Sequence, residues 1–250
     1  MNKPRILILR TAGTNCDRET AFAFELAGGE PDLVHINELA RGEKSLRDYQ
    51  IFAIPGGFTY GDDIASGKIL ANEVRYKLGE ETKNFINAGK LVIGICNGFQ
   101  ALVKAGFLPA ISGNDIEATL SFNNSGSFIA KWVELGKSGD RCVWTKGVKG
   151  RMYLPIAHGE GKFIPRDKDV LRALRKNGQV VFRYEDNPNG SVDDIAGICD
   201  TTGRILGMMP HPERHVLGTQ HPQWTRKGLK RYGDGFDIFK NGIQYVKEFL

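Results

Sequence analysis

Short apolar segments alternate with helical segments over the first part of the chain, and this alternation constrains the fold more than any other feature. Residues 18–26 and 69–88 carry apolar side chains at helical spacing. The apolar segments around them have the length of strands buried on both faces; they are residues 5–9, 32–36, 49–54 and 91–95. Strand–helix–strand units of this kind predict right-handed crossovers and a mainly parallel sheet flanked by helices.

After Phe107 the pattern changes to short strand candidates separated by Gly, Asn and Ser turns. We expect the first four to form an antiparallel layer attached to the sheet. The candidates are residues 117–122, 128–134, 141–144, 152–156, 180–184, 195–199 and 203–209. Residues 237–250 predict an amphipathic helix packed on the domain. Since no linker or repeat interrupts the chain, we predict one α/β domain over residues 1–250, with its core in about residues 5–220.

The composition argues against several classes of protein. The 34 Lys and Arg against 29 Asp and Glu give a net charge of +5. The sequence lacks a cluster of basic and aromatic residues, so we do not expect it to bind nucleic acid. An apolar run of about 18 residues is absent, so we expect no membrane span, and the N-terminus leaves no room for a signal peptide. The four cysteines are scattered, which predicts neither a disulfide framework nor a metal site. The expected location is the cytoplasm.

Cys96 stands between two glycines at a predicted strand-to-helix junction. Residues 94–98 read Gly-Ile-Cys-Asn-Gly, and a helical segment follows. A turn this sharp tolerates little side chain, and the N–H groups and dipole of the helix favour a thiolate. Most cysteines are small core residues, but this setting indicates that Cys96 is the nucleophile. Cys16 also begins a predicted helix without a glycine elbow, so we expect it to be structural.

Two loops follow the third and fourth predicted strands, at the edge where parallel sheets bind ligands. One loop contains Cys96, and the other contains Gly56 and Gly57. Attack of a thiolate on a carbonyl group produces an oxyanion, which needs N–H donors already in place. We predict the backbone N–H groups of Gly57 and Asn97 as these donors, because glycine lets the backbone approach closely. A plain turn is the alternative for the glycine pair.

His211 supplies a candidate base for the cysteine. It follows the predicted strand at residues 203–209, and Glu213 lies two residues later, with Pro212 between them. Cysteine, histidine and an acid in this order predict a nucleophile, a general base and a carboxylate that orients the imidazole. His158 and Glu160 form a second acid–base pair, which is the main rival to His211.

Five ordered motifs make the chain resemble the class I glutamine amidotransferases, whose Cys-His-Glu triad lies on a flavodoxin-like sheet. The motifs are residues 13–17, 55–62, 94–100, 158–163 and 207–214. They are most similar to the branch of the family that supplies ammonia for purine synthesis. Residues 165–194 and the tail after His221 match no motif.

The resemblance implies a complete reaction. Cys96 would attack the side-chain amide of L-glutamine and form a glutamyl thioester, with Glu213 orienting His211. His211 would protonate the departing ammonia and then activate water. The ammonia would pass to an ATP-dependent synthetase subunit, which converts formylglycinamide ribonucleotide to the amidine, with a small bridging subunit between the two. ATP and Mg²⁺ would bind on that partner, because this chain has no Walker-type motif, and no cofactor is expected here.

The resemblance also implies residues that bind glutamine and residues at the interface with the synthetase. The glutamine-binding residues would be Gly56, Phe58, Gln100, Asn123 and Asn124. A buried core amide is the alternative for Gln100, and a plain turn for the two asparagines; Ser127 also stands where family members often have Arg. The subunit interface and ammonia exit would involve His158, Glu160 and Phe163.

Three other functions stay open at this point. Another class I amidotransferase could feed anthranilate, cytidine triphosphate or guanylate synthesis, although many of those enzymes have Leu where this chain has Asn97. A hydrolase or protease with the same cysteine elbow would place its acid elsewhere than Glu213. An interaction module without activity would keep the elbow only for packing, and its Cys96 would show no special thiol reactivity.

Overall fold

The structure, a computed structural model, describes residues 3–62, 64–113, 115–148 and 150–250. In these ranges the strands are β1 (Arg5–Arg10), β2 (Glu30–His35), β3 (Ile51–Ile54), β4 (Leu91–Ile95), β5 (Ala118–Ser121), β6 (Ile129–Lys137), β7 (Arg151–His158), β8 (Lys162–Pro165), β9 (Val180–Tyr184), β10 (Ile195–Cys199) and β11 (Ile205–Met208). The α-helices are α1 (Asp17–Leu26), α2 (Ile36–Ala40), α3 (Lys68–Lys77), α4 (Gly79–Asn87), α5 (Asn97–Lys104), α6 (Lys168–Lys176), α7 (Trp224–Lys227) and α8 (Phe236–Phe249).

The main sheet has nine strands in the order β2-β1-β3-β4-β11-β10-β9-β6-β7. The first five are parallel to one another, and the last four run antiparallel to their neighbours. The parallel half follows the expected α/β crossovers and confirms the predicted fold class. Because parallel strands end at the same edge, the loops after β1, β3, β4 and β11 all meet there.

Burial explains why the central strands lack the alternation of a half-exposed sheet. Every residue of β3 and β4 is buried, as expected for parallel strands that are covered by helices on both faces. The hydrophobic core extends from β1 to α8. The ring of Phe239 on α8 packs edge-on against Phe24 with a centroid distance of 5.0 Å, which attaches the C-terminal helix to α1.

Several elements differ from the sequence-based predictions. The helix predicted over residues 69–88 is two helices, α3 and α4, because the backbone leaves the helical region at Leu78 (φ −116°, ψ 5°), whose side chain is buried. The strand predicted at residues 141–144 is wrong. A short 3₁₀ turn stands there, with Trp144 in the core and its indole N–H donating to Arg204 O at 2.9 Å.

The antiparallel strands are also arranged differently from the prediction. β6 and β7 extend the main sheet through β9, and β5 and β8 pair as a separate two-stranded sheet. Helix α6 was not predicted, although Val170 and Leu174, one turn apart, are buried on one of its faces. It begins at an N-cap, Asp167, whose carboxylate accepts from the N–H groups of Asp169 and Val170 at 2.9 Å. Within the described ranges, no helix is long and apolar enough to cross a membrane.

Candidate active site

Cys96 occupies a strained elbow between β4 and α5. Its φ of 51° and ψ of −104° lie in a region that residues with a side chain rarely adopt. The flanking glycines make the elbow possible. A Cβ on Gly98 would lie 1.9 Å from Ile54 O, and a Cβ on Gly94 would lie 2.7 Å from the backbone of Gly98. The side chain of Cys96 is therefore held at the carboxyl edge of the sheet by backbone packing.

His211 and Glu213 form a buried dyad in the loop after β11. The Nδ1 atom of His211 lies 2.6 Å from Glu213 Oε1, and the backbone N–H of His211 donates to Pro155 O at 2.9 Å. The side chains of Cys96, His211 and Glu213 are nearly inaccessible, with residue exposures of 4%, 2% and 1%. The Nε2 atom of His211 has no hydrogen-bond partner in the described part of the chain, which leaves it available for proton transfer.

Burial lowers the pKa of His211, but the charges of Glu213 and Cys96 outweigh it and raise that pKa well above its usual value. The imidazolium form is therefore favoured next to the nucleophile. A protonated imidazole paired with a thiolate can deliver a proton to a leaving amine, and the carboxylate keeps the proton on Nδ1.

Gly56 brings the nucleophile and the base together. A Cβ on this residue would lie 2.8 Å from His211 Cε1 and 3.4 Å from Cys96 Cβ, so both side chains pack directly on its Cα. The N–H groups of the next residue, Gly57, and of Asn97 have no acceptor among the described residues. These are the two groups expected to stabilise an oxyanion, and that role stays a prediction.

The side chains of Asn97 and Gln100 are engaged within the protein. Asn97 Oδ1 accepts from Thr59 Oγ1 at 2.6 Å, and Asn97 Nδ2 donates to Gln100 Oε1 at 3.0 Å. Gln100 Nε2 donates to the backbone oxygen of Glu160 at 2.5 Å. Gln100 is thus placed as a satisfied core amide, which is the alternative that the sequence left open, and its binding of glutamine stays a prediction.

The other candidate glutamine-binding residues are divided between the interior and the surface. Asn123 is buried, donates to the backbone oxygens of Ser127 and His158, and accepts from Gly161 N. Asn124 and Phe58 are exposed, and the Phe58 ring lies 6.1 Å from that of Phe128. A contact of glutamine with Phe58 or Asn124 is sterically open, whereas Asn123 already uses both ends of its amide.

The residues predicted at the subunit interface are all buried. His158 Nδ1 lies 3.1 Å from Asn123 Oδ1, and Phe163 stacks on Phe99 at 6.3 Å. Burial, followed by the nearby charge of His211, lowers the pKa of His158 to about 4, so it is a neutral imidazole at pH 7. Glu160 forms an ion pair with Lys104. The interface role of these residues stays a prediction.

Cys16 also lies in the site, which was not predicted from the sequence. Its sulfur, one ligand atom of His211 and one of Glu213 lie within 4.8 Å of one another, and Arg214 Nη2 is 3.0 Å from the sulfur. A guanidinium group at this distance disfavours a bound cation, so the cluster suits an acid–base site better than a metal site. The signal was present, since residues 13–17 follow β1 at the same edge of the sheet.

Comparisons with known proteins agree with this geometry. The family model of the CobB/CobQ-like glutamine amidotransferase domain matches residues 3–246. The PurQ subunit of phosphoribosylformylglycinamidine synthase from Dehalococcoides mccartyi is 51% identical, covering 99% of this chain and 100% of the relative. The corresponding subunit from Methanococcus maripaludis is 42% identical, with 98% of each chain covered.

A solved structure shows the same architecture. A chain of the structure of PurLQS from Thermotoga maritima superposes with a TM-score of 0.79 at 33% identity, covering 98% of this chain and 100% of that one.

Proposed function

This chain belongs to the PurQ family of CobB/CobQ-like glutamine amidotransferases, and on that premise we propose that it is the glutamine-hydrolysing subunit of phosphoribosylformylglycinamidine synthase in purine biosynthesis. The main support is the buried His211–Glu213 dyad, whose imidazole packs with Cys96 against Gly56. The carboxylate in the second residue after the histidine also disfavours the hydrolase and protease alternatives, which would place the acid elsewhere.

The reaction begins with attack of the Cys96 sulfur on the side-chain carbonyl carbon of glutamine. The C–S bond forms, and the carbonyl oxygen becomes an oxyanion next to the N–H groups of Gly57 and Asn97, whose directions are fixed in advance. His211 gives its Nε2 proton to the amide nitrogen, the C–N bond breaks, and ammonia leaves. A glutamyl thioester on Cys96 remains.

Hydrolysis of the thioester reverses the roles of the imidazole. His211, now neutral, takes a proton from water, and the hydroxide attacks the thioester carbonyl carbon. The C–S bond breaks, glutamate leaves, and the thiolate and imidazolium are restored. Glu213 keeps the imidazole in one tautomer throughout, because its carboxylate accepts from Nδ1 in both protonation states.

Ammonia then reaches a synthetase subunit, in line with the PurLQS assembly to which this chain is similar. We place ATP and Mg²⁺ on that subunit, with a small bridging subunit completing the complex and the cytoplasm as its location. The near-complete burial of the triad supports activation by the partners, since a movement that uncovers Cys96 would favour entry of glutamine. The isolated chain should therefore be a slow glutaminase that becomes faster on assembly.

The decisive experiment replaces Cys96 by alanine in the reconstituted complex. Synthesis of the amidine is measured with glutamine and, separately, with an ammonium salt. Cys96→Ala should abolish the glutamine-dependent reaction and retain the ammonia-dependent one, because only the first needs the thioester. Loss of both reactions would mean that Cys96 is needed for assembly, and retention of both would reject it as the nucleophile.

A further inference from the structure

A buried ion pair lies behind the nucleophile helix and has no part in the steps above. Glu160 Oε2 and Lys104 Nζ are 3.5 Å apart, and each side chain is about one tenth exposed. Burying two charges is costly unless both are well paired and hydrogen-bonded. Hydrogen bonds connect the pair to both segments that carry the expected oxyanion donors.

The first connection runs to α5. The backbone oxygen of Glu160 accepts from Gln100 Nε2 at 2.5 Å, and Gln100 Oε1 accepts from Asn97 Nδ2 at 3.0 Å. Asn97 is the first residue of α5, and its backbone N–H is one of the two expected oxyanion donors. Two hydrogen bonds thus join Glu160 to this donor residue.

The second connection runs to Ser66, which lies in the segment after Gly57, the residue with the other expected donor. Ser66 N donates to Glu160 Oε1 at 3.1 Å, and Lys104 Nζ donates to Ser66 O at 2.6 Å. The hydroxyl of Ser66 donates to Asp62 Oδ2 at 2.8 Å. Asp62 in turn accepts from Asn97 Nδ2 at 3.3 Å, which closes the circuit.

We propose that Glu160, together with Lys104, is a positioning residue for glutamine hydrolysis, which fixes the two oxyanion donors relative to each other through Ser66 and Gln100. The carboxylate accepts from the N–H of Ser66 and the ammonium group donates to its carbonyl oxygen, so loss of the pair frees Ser66, whose hydroxyl bonds to Asp62, a partner of Asn97. Donors that stabilise an oxyanion must be aligned before the charge develops. The pair therefore acts on the transition state and has little effect on binding of the neutral amide. This role rests on the glutaminase activity proposed above.

The test uses Glu160→Gln in the reconstituted complex. The glutamine amide keeps an acceptor for Ser66 N but cannot pair with Lys104. The kcat for glutamine should fall about 10- to 100-fold per active site while KM changes less than about threefold, since misplacing a donor is a milder change than removing one. A diazo-ketone analogue of glutamine titrates the active sites, and alkylation by iodoacetamide reports the reactivity of Cys96 itself.

A second variant separates positioning from folding. Glu160→Gln with Lys104→Met removes both charges and restores a neutral interior, so its thermal stability should exceed that of the single variant while kcat stays low. If the double variant recovers kcat together with stability, the proposal is overturned and the role of the pair is structural. A single variant with wild-type kcat, or with parallel losses of kcat and alkylation rate, would overturn it as well.

The matched control is Glu117→Gln. Glu117 is also a buried carboxylate and accepts from the N–H groups of Ile111 and Ser112 at 2.8 and 3.0 Å, but it has no hydrogen bond to the donor segment among the described residues. Its replacement should lower stability without changing kcat per active site. A wild-type complex that hydrolyses no glutamine would reject the proposed function itself. An active wild type with an equally active Glu160→Gln variant would reject only the positioning role.

Discussion

Replacing Gly98 by alanine tests whether the elbow sets the geometry of the reaction. The added Cβ would lie 1.9 Å from the carbonyl oxygen of Ile54 and 2.7 Å from its carbonyl carbon. Since real Cβ atoms essentially never come closer than 3.0 Å to another heavy atom, the start of α5 must move away from β3 by at least about 1 Å. The obstacle is backbone at the end of a fully buried strand, so no rotamer change relieves the contact.

This displacement falls on Cys96 and on the N–H of Asn97. A misplacement of about 1 Å at a reacting centre costs about 100-fold in rate. Overpacking of a core site costs only about 1–3 kcal/mol of stability, which lowers the Tm of a chain of this size by roughly 2–12 °C. We therefore expect Gly98→Ala to stay folded and to lose about 100-fold in glutamine-dependent kcat/KM.

The assay compares amidine synthesis from glutamine and from an ammonium salt in the reconstituted complex, next to the Tm of each variant. Gly79→Ala is the matched control, because its Cβ would meet nothing closer than Val74 O at 4.0 Å. That change should be neutral or stabilise α4 by up to about 1 kcal/mol. A folded Gly98→Ala complex with a glutamine-dependent kcat/KM within threefold of wild type would show that the elbow does not set the reaction geometry.

Three further predictions follow from the titrating groups. Glu213→Gln should move the alkaline limb of kcat/KM to lower pH. Burial lowers the pKa of His211 and the charge of Glu213 is the strongest effect that raises it, so loss of the carboxylate lowers this pKa. An unmoved limb in the pH profile would contradict the prediction. Burial lowers the pKa of His158 from 6.5 to about 4. As the pH falls between these values, only the unfolded chain takes up this proton, so urea titrations should show about 3 kcal/mol of stability lost there. The variant His158→Gln should lack that loss. The diazo-ketone analogue should label Cys96 alone, because burial raises the pKa of the Cys16 thiol; peptide mapping that finds an adduct on Cys16 would reject this.

The parallel half of the fold was predictable because its signals are local. Four apolar segments and the glycines that end the intervening helices specify strands and crossovers without knowledge of tertiary contacts. The wrong strand prediction lies where tertiary packing decides which conformation the segment adopts. Residues 141–144 carry the composition of a strand, but Trp144 enters the core from a turn and packs beside α8. Helix α6 is a different kind of error, because its N-cap at Asp167 and the one-turn spacing of the buried Val170 and Leu174 were local signals that the prediction did not use.

The candidate site shows the same division between local and distant information. Cys96, His211 and Glu213 were predicted because each stands in a motif of a few residues. The structure packs Cys96 and His211 against Gly56 and places Glu213 on the Nδ1 atom of His211. Side-chain contacts over 60 or more positions were not predictable. The hydrogen bond of Gln100 to the backbone of Glu160 spans 60 positions, and no periodicity or spacing in one sequence encodes such a partner.

Burial and connectivity both bear on the proposed activation of this site by partner subunits. The triad is nearly inaccessible, so a movement that uncovers Cys96 would favour entry of glutamine. Phe58 follows Gly57 directly, and its exposed ring faces that of Phe128. A partner that contacts Phe58 would act one residue away from Gly57, an expected oxyanion donor. The side chain of Asn97, the other expected donor, bonds to Thr59 and Asp62 in the segment after Gly57. We therefore expect an opening of the site to move both donors together, which would keep the geometry that stabilises the transition state.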